Sequence, residues 1–217
     1  MDHRDPHMRA TPAGLWLGLI AALAVIFAAS FARAGNAQVY SGTVEPCLSG
    51  HGDRDLYLAG LAGTGWTDVA PESRADALDM LADAYLPIIL GVDQPLPALI
   101  ARRAEARAFW EDLATNRSIL GREGQVLLLA GFLSPEGRMI VECWVAGPPI
   151  PVTEDMMNLI GATYEAPGIR MAQVNIPAQD SRPDAEIFVS RLSLESPTLA
   201  ATDALRTRVT FERGMDL

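Results

Sequence analysis

The chain contains no lysine; all 17 of its basic residues are arginine. That absence excludes several chemistries. A P-loop requires a lysine on the nucleotide phosphates. Schiff-base chemistry with pyridoxal phosphate or aldol substrates requires a lysine amine. Ser-Lys dyads go with them. Histidine is almost as scarce, at three residues, and cysteine appears only as Cys47 and Cys143. No G-x-S-x-G elbow is present to carry a nucleophilic serine. The abundance of Ala, Gly and Leu beside an all-Arg basic set points to a GC-rich, bacterial coding sequence.

What is present begins with an apolar segment. From Ala10 to Ala32 there is no charged residue, and Leu15 to Ala29 is almost wholly apolar. Arg4 and Arg9 precede it, diluted by Asp2 and Asp5, and Ala32-Arg33-Ala34 follows with the small-x-small pattern of a signal-peptidase site. The reading is a cleavable export signal over residues 1–34 and a single exported domain over 35–217. The alternative is an uncleaved anchor, since a bilayer span needs about 20 residues; the strongly apolar part is shorter. In that case the membrane is touched only through this segment, and the protein is a membrane-tethered accessory subunit. Either way the domain faces outward: periplasmic or secreted, or anchored in the inner membrane facing the periplasm. No cysteine follows the apolar run to take a lipid, and no twin-Arg pair precedes it.

Removal of residues 1–34 takes away Arg4, Arg9 and Arg33 against Asp2 and Asp5, so the remainder is one unit more acidic than the precursor's −10. Nucleic-acid phosphates repel such a surface, and nucleic acid is excluded as a partner. Anionic headgroups are disfavoured likewise.

Two cysteines in an exported domain are the minimum for one disulfide. Cys143 sits in a strand from Arg138 to Ala146, on the more apolar face with Met139, Val141 and Val145, and is expected buried. Cys47 follows a short candidate strand within Ala37–Val44. A Cys47–Cys143 bridge would tie the N-terminal arm to the central sheet. The rival, a reactive Cys47 paired with His51, is disfavoured where a second thiol and an oxidising compartment are at hand. The three Cys and His residues left in 35–217, without paired spacing, do not make a zinc site, so no metal and no cofactor are expected.

Along the chain, Asp53 or Asp55 caps a short helix through Leu61. The Asp53-Arg54-Asp55 pair fails as a calcium loop because Tyr57 stands where a ligand belongs. Gly60 to Gly65 lacks the strand and helix that a phosphate cradle needs. Trp66 is expected to plug a core edge. Ser73 with Asp76 resembles a capping box opening a helix that Pro87 kinks or ends. A longer helix is predicted over Ala98–Thr115, with Leu99, Ile100, Phe109, Trp110 and Leu113 inward. Its Arg102, Arg103 and Arg107 either bind an anion or pair with nearby acids. Gly121–Gly124 reads as a turn. Gln125–Phe132 and Arg138–Ala146 form the clearest hairpin, around Ser134-Pro135-Glu136-Gly137. Pro148, Pro149 and Pro151 make a connector, and Thr153 caps a helix from Glu154 to about Tyr164. Ile169–Ile176, Glu186–Leu194 and Arg206–Glu212 read as further strands. The sum is an α+β fold, with helices mainly in the N-terminal half and an antiparallel sheet of about five or six strands mainly in the C-terminal half.

One acid stands out. Glu142 shares a half-buried strand face with Ile140 and Trp144, where burial raises a carboxyl pKa toward general-acid use. The simpler account is that it points to solvent or pairs with an arginine such as Arg170 or Arg191. The functional reading is therefore a non-catalytic binding or envelope-assembly accessory protein, with an envelope protein as partner. The alternative is a carboxylate-dependent hydrolase of envelope polysaccharide. Loops Gly147–Val152 and Pro177–Pro183 are candidate partner contacts.

Overall fold

A computed structural model describes residues 45–48, 53–149, 151–178, 183–193 and 201–211. The apolar N-terminal segment, the strand expected within Ala37–Val44 and His51 lie outside the described residues. All described residues belong to one compact unit, Tyr40–Leu217.

The order is α1 (Glu45–Leu48), α2 (Arg54–Gly63), β1 (Thr67–Asp68), α3 (Arg74–Ala84), α4 (Leu86–Leu90), α5 (Leu96–Ala101) and α6 (Arg103–Leu113). There follow β2 (Ser118–Arg122), β3 (Gln125–Leu133), β4 (Met139–Gly147), α7 (Pro151–Ile160), β5 (Tyr164–Ala166), β6 (Ile169–Ile176), β7 (Asp184–Leu192) and β8 (Thr202–Phe211). The strands form one antiparallel sheet of eight, in the order β1-β2-β3-β4-β8-β7-β6-β5.

The α+β class holds, with two corrections. The sheet has eight described strands rather than five or six, because β1, β2 and β5 are too short to show alternation. Helices are spread through the chain, since α7 lies between β4 and β5. Its start at Pro151, not Glu154, uses a proline in the first turn, where the missing N–H would have no partner anyway.

Alternation sorts the strand residues onto two faces. On one, Leu128, Trp144, Phe188, Ala204 and Met171 pack beneath α3 to α6 through Leu81, Tyr85, Leu99 and Trp110. Tyr85 reaches through this layer and donates its hydroxyl to the Val145 carbonyl at 2.9 Å. The opposite face carries Cys143, Val145 and Leu205, with α1, α2 and α7 against it. Glu154 on α7 pairs with Arg170 at 3.0 Å and with Arg191, and Arg191 grips the buried Asp203 through two bonds of 2.7 and 2.8 Å. Glu154 is held below the usual carboxylate range, chiefly by its hydrogen bond from Arg170.

Other local expectations divide. Asp53 is the N-cap of α2, its Oδ1 accepting from the Asp55 N–H at 2.8 Å. Ser73 precedes α3 but makes no side-chain cap, because a 3-10 turn over Pro71–Ser73 has already made its backbone helical. The helix expected over Ala98–Thr115 breaks at Arg102, whose ψ of 13° ends α5 and opens α6. Phe109 faces outward, 41% exposed, while Trp110 is fully buried. Cys47 and Cys143 are bonded, with Cα atoms 6.1 Å apart and both side chains buried.

Candidate functional site

Glu142 sits mid-way along β4, covered to 5% exposure. Strand register decides its neighbours. Across one rung run Ala130, Glu142, Arg208, Glu186 and Asn175, on β3, β4, β8, β7 and β6. The next rung holds Trp144, Arg206 and Phe188. Helices α3 to α6 cover that second rung; the first lies toward the open end of the same face.

Charges alternate along the Glu142 rung. Glu142 Oε1 stands 3.7 Å from Arg208 Nε. Arg206 lies over the Trp144 ring at 5.0 Å and the Phe188 ring at 5.8 Å, and its guanidinium pairs with Glu186. The aromatic bed fixes the Arg206 stem, so the charge is delivered to one place. Beyond the rung, Phe132, Ile140, Asn175, Asp184, Glu186 and Arg208 line an open cleft of about 650 Å³. Leu133 stands at its rim, 66% exposed.

Burial pushes the Glu142 carboxyl above its ordinary range, against the pull of Arg206 and Arg208. A carboxyl raised in the folded state favours folding while protonated, below the unfolded value, and costs stability as pH rises through the folded value. Glu142→Gln is therefore expected to raise the melting temperature at pH 7 and leave it nearly unchanged at pH 4, read by calorimetry at both. Arg208 remains solvated in that variant, being partly exposed. A lowered midpoint at pH 7 would mean that the Arg208 pair outweighs the burial cost.

The partner of Glu142 is a correction: it is Arg208, while Arg170 and Arg191 lie on the other face with Glu154 and Asp203. The Arg102, Arg103 and Arg107 group is paired throughout. Arg102 meets Glu105 at 2.7 Å, Arg103 meets Asp83, and Arg107 meets Asp79 and Glu111 at 2.7 Å. Gly60 and Gly63 lie inside α2 and cradle nothing; a Cβ on Gly60 would stand 3.0 Å from Pro46, which is why α1 can pack there. Trp66 is buried beneath Arg122, as a core-edge plug. Among the described residues, no group of three His, Cys, Asp or Glu side chains converges. No described helix is long and apolar enough to cross a membrane.

The chain matches no family model. Nor does it match a curated protein or a solved structure. The site is thus read from its own geometry. Sequence reasoning found Glu142 but missed Glu186, Arg206 and Arg208, for β8 lies far along the chain from β4 and only register brings them together.

Proposed function

We propose that this chain is an exported, non-catalytic binding or envelope-assembly accessory protein, and that the open cleft beside Glu142 is where it meets a partner protein of the envelope. One observation carries the reading: the two carboxylates of the rung beside the cleft, Glu142 and Glu186, are already matched by arginines. Glu142 faces Arg208 and Glu186 faces Arg206. Two-carboxylate hydrolysis needs an acid and a base with room between them for water or sugar. Here Arg208 occupies the strand between Glu142 and Glu186, two strand spacings of about 4.8 Å each apart. A fixed pattern of paired charges beside exposed Leu133 suits recognition of a surface with complementary charge and an apolar contact. The Cys47–Cys143 bond is compatible with an oxidising compartment.

The second reading, a hydrolase of envelope polysaccharide, draws on the raised Glu142 carboxyl. One experiment separates them. The chain, expressed with its N-terminal segment, carries a photo-crosslinker at Leu133 or, as control, at Phe109. The expected result is one protein adduct from Leu133 and none from Phe109, on a product whose first residue is Gly35. Release of glycan fragments by the purified protein, abolished in Glu142→Gln, would replace the binding reading with the hydrolase. An uncleaved product would make it a membrane-tethered subunit.

A further inference from the structure

The other face of the sheet carries a second cavity, of about 570 Å³, where the N-terminal end of α2 meets β3 and β4. Its floor is apolar: Leu129, Met139 and Val141. Tyr57, from the first turns of α2, also lines it. The Tyr57 side chain is 1% exposed, and its hydroxyl has no hydrogen-bond partner among the described residues. That is costly, because a buried hydroxyl gives up its water bonds for nothing. The other two described tyrosines do not accept this cost. Tyr85 donates to the Val145 carbonyl at 2.9 Å and Tyr164 to the Val92 carbonyl at 2.7 Å. Burial also pushes the Tyr57 phenol upward, so it stays a neutral donor at every physiological pH.

The rim adds charge of a defined size. Arg54 donates to Ser118 Oγ at 2.6 Å, and Arg117 donates to the Leu113 carbonyl. Neither meets a carboxylate within ion-pairing distance among the described residues, whereas Arg102, Arg103, Arg107, Arg191, Arg206 and Arg208 all do. Each guanidinium keeps further N–H donors beyond its one bond. Asp53, at the same rim, spends its carboxylate capping α2. Two cations against one anion leave a single positive charge beside an apolar floor, in a chain whose net charge is −10.

We infer that this cavity binds a small amphipathic monocarboxylate, its apolar body against Leu129, Met139 and Val141, its carboxylate accepting from the Tyr57 hydroxyl with Arg54 and Arg117 as counter-charges. The free donor, the unmatched cations and the apolar floor then each have a use. A carboxylate acceptor makes the phenol bond charge-assisted, the stronger kind. The site lies on the opposite face of the sheet from the cleft beside Glu142, and stands or falls independently of the function proposed there.

The test is calorimetric titration of the purified, disulfide-bonded protein with three amphiphiles of one chain length: decanoate, decan-1-ol and decyltrimethylammonium. Decanoate is expected to saturate one site per chain, decan-1-ol to bind at least about tenfold more weakly, and the cation not to bind. Tyr57→Phe is expected to weaken decanoate about tenfold while its melting temperature stays the same or rises, since the lost hydroxyl had no partner. Arg117→Gln is expected to weaken decanoate similarly and leave decan-1-ol unaffected. Equal binding of the three amphiphiles, no saturable decanoate binding, or full decanoate affinity in Tyr57→Phe would each overturn the inference.

Discussion

Replacing Cys47 and Cys143 together by alanine is expected to lower the unfolding free energy by about 2–5 kcal/mol. The bridged residues are separated by 96 positions, so the bond removes a large share of the open chain's freedom. For a loop of that size the chain-entropy account gives about 4.7 kcal/mol. The folded side adds a local reason. α1 has four residues, too few to hold as a helix without support. It is fastened through Cys47 to the middle of β4. Alanine is the right replacement, because both sites are buried and a serine hydroxyl would add its own burial cost. Urea unfolding followed by circular dichroism is the readout. The midpoint should fall and the slope should rise, since an uncrosslinked chain exposes more surface. An unchanged midpoint would show that the bond adds nothing to stability. Reduction of the native protein should reproduce the double variant, which ties the loss to the bond rather than to the substitutions.

How much of this was legible in the sequence depends on where each signal resides. The β3–β4 hairpin announced itself, because apolar alternation and Ser134-Pro135-Glu136-Gly137 are local features. Gly121–Gly124 misled for an equally local reason. Only Glu123 and Gly124 turn, with φ of 50° and 78°, while Gly121 and Arg122 pair with Val126 and Gln125. β1 and β5 have two and three residues, and their strand character comes wholly from partners. The break at Arg102 has no proline or glycine to mark it. It coincides with Arg103 and Arg107 reaching Asp83 and Asp79 across the groove to α3, a contact between distant segments.

The site shows the same division more sharply. Period-2 alternation placed Glu142 with Trp144 and Cys143 with Val145, and the side chains do share those faces. Alternation within one strand says nothing of the strand beside it. The neighbours of Glu142 follow from β4 pairing with β8 instead of with β5, the next strand in the chain. Alternation within β4 made Cys143 buried and the Glu142 face half-buried; Glu142 is in fact covered to 5% exposure, since β4 is central in the sheet and the helices over Trp144 close the same face next to it. Tyr57 entered the sequence argument only as the residue that spoils a calcium loop. Its unpartnered hydroxyl is a property of packing, and no spacing rule could have raised it.

Trp110→Ala is expected to cost about 3–5 kcal/mol, the range for truncating a large buried aromatic. Trp110 is fully buried and sits in a cluster of rings, with centroids 5.3 Å from Tyr85 and 5.2 Å from Trp144 in tilted and edge-on contact. Such pairs contribute about 0.5–1.5 kcal/mol each beyond burial, although terms sharing one ring do not add. Phe109 is the internal control. It neighbours Trp110 on α6 with a similar ring but is 41% exposed, so Phe109→Ala should cost about 1 kcal/mol or less. Urea midpoints by circular dichroism compare the two. Equal small losses would mean that α6 is not seated through Trp110. The consequence reaches the cleft, because Trp144 is the shared member. Its ring meets those of Trp110 and Tyr85 edge-on, and Arg206 is stacked over it at 5.0 Å and paired with Glu186. A cavity at Trp110 frees Trp144 to move, and with it the guanidinium that neutralises Glu186. Trp110→Ala should therefore also reduce the Leu133 crosslink, at temperatures where the variant is still folded, while Phe109→Ala leaves it intact.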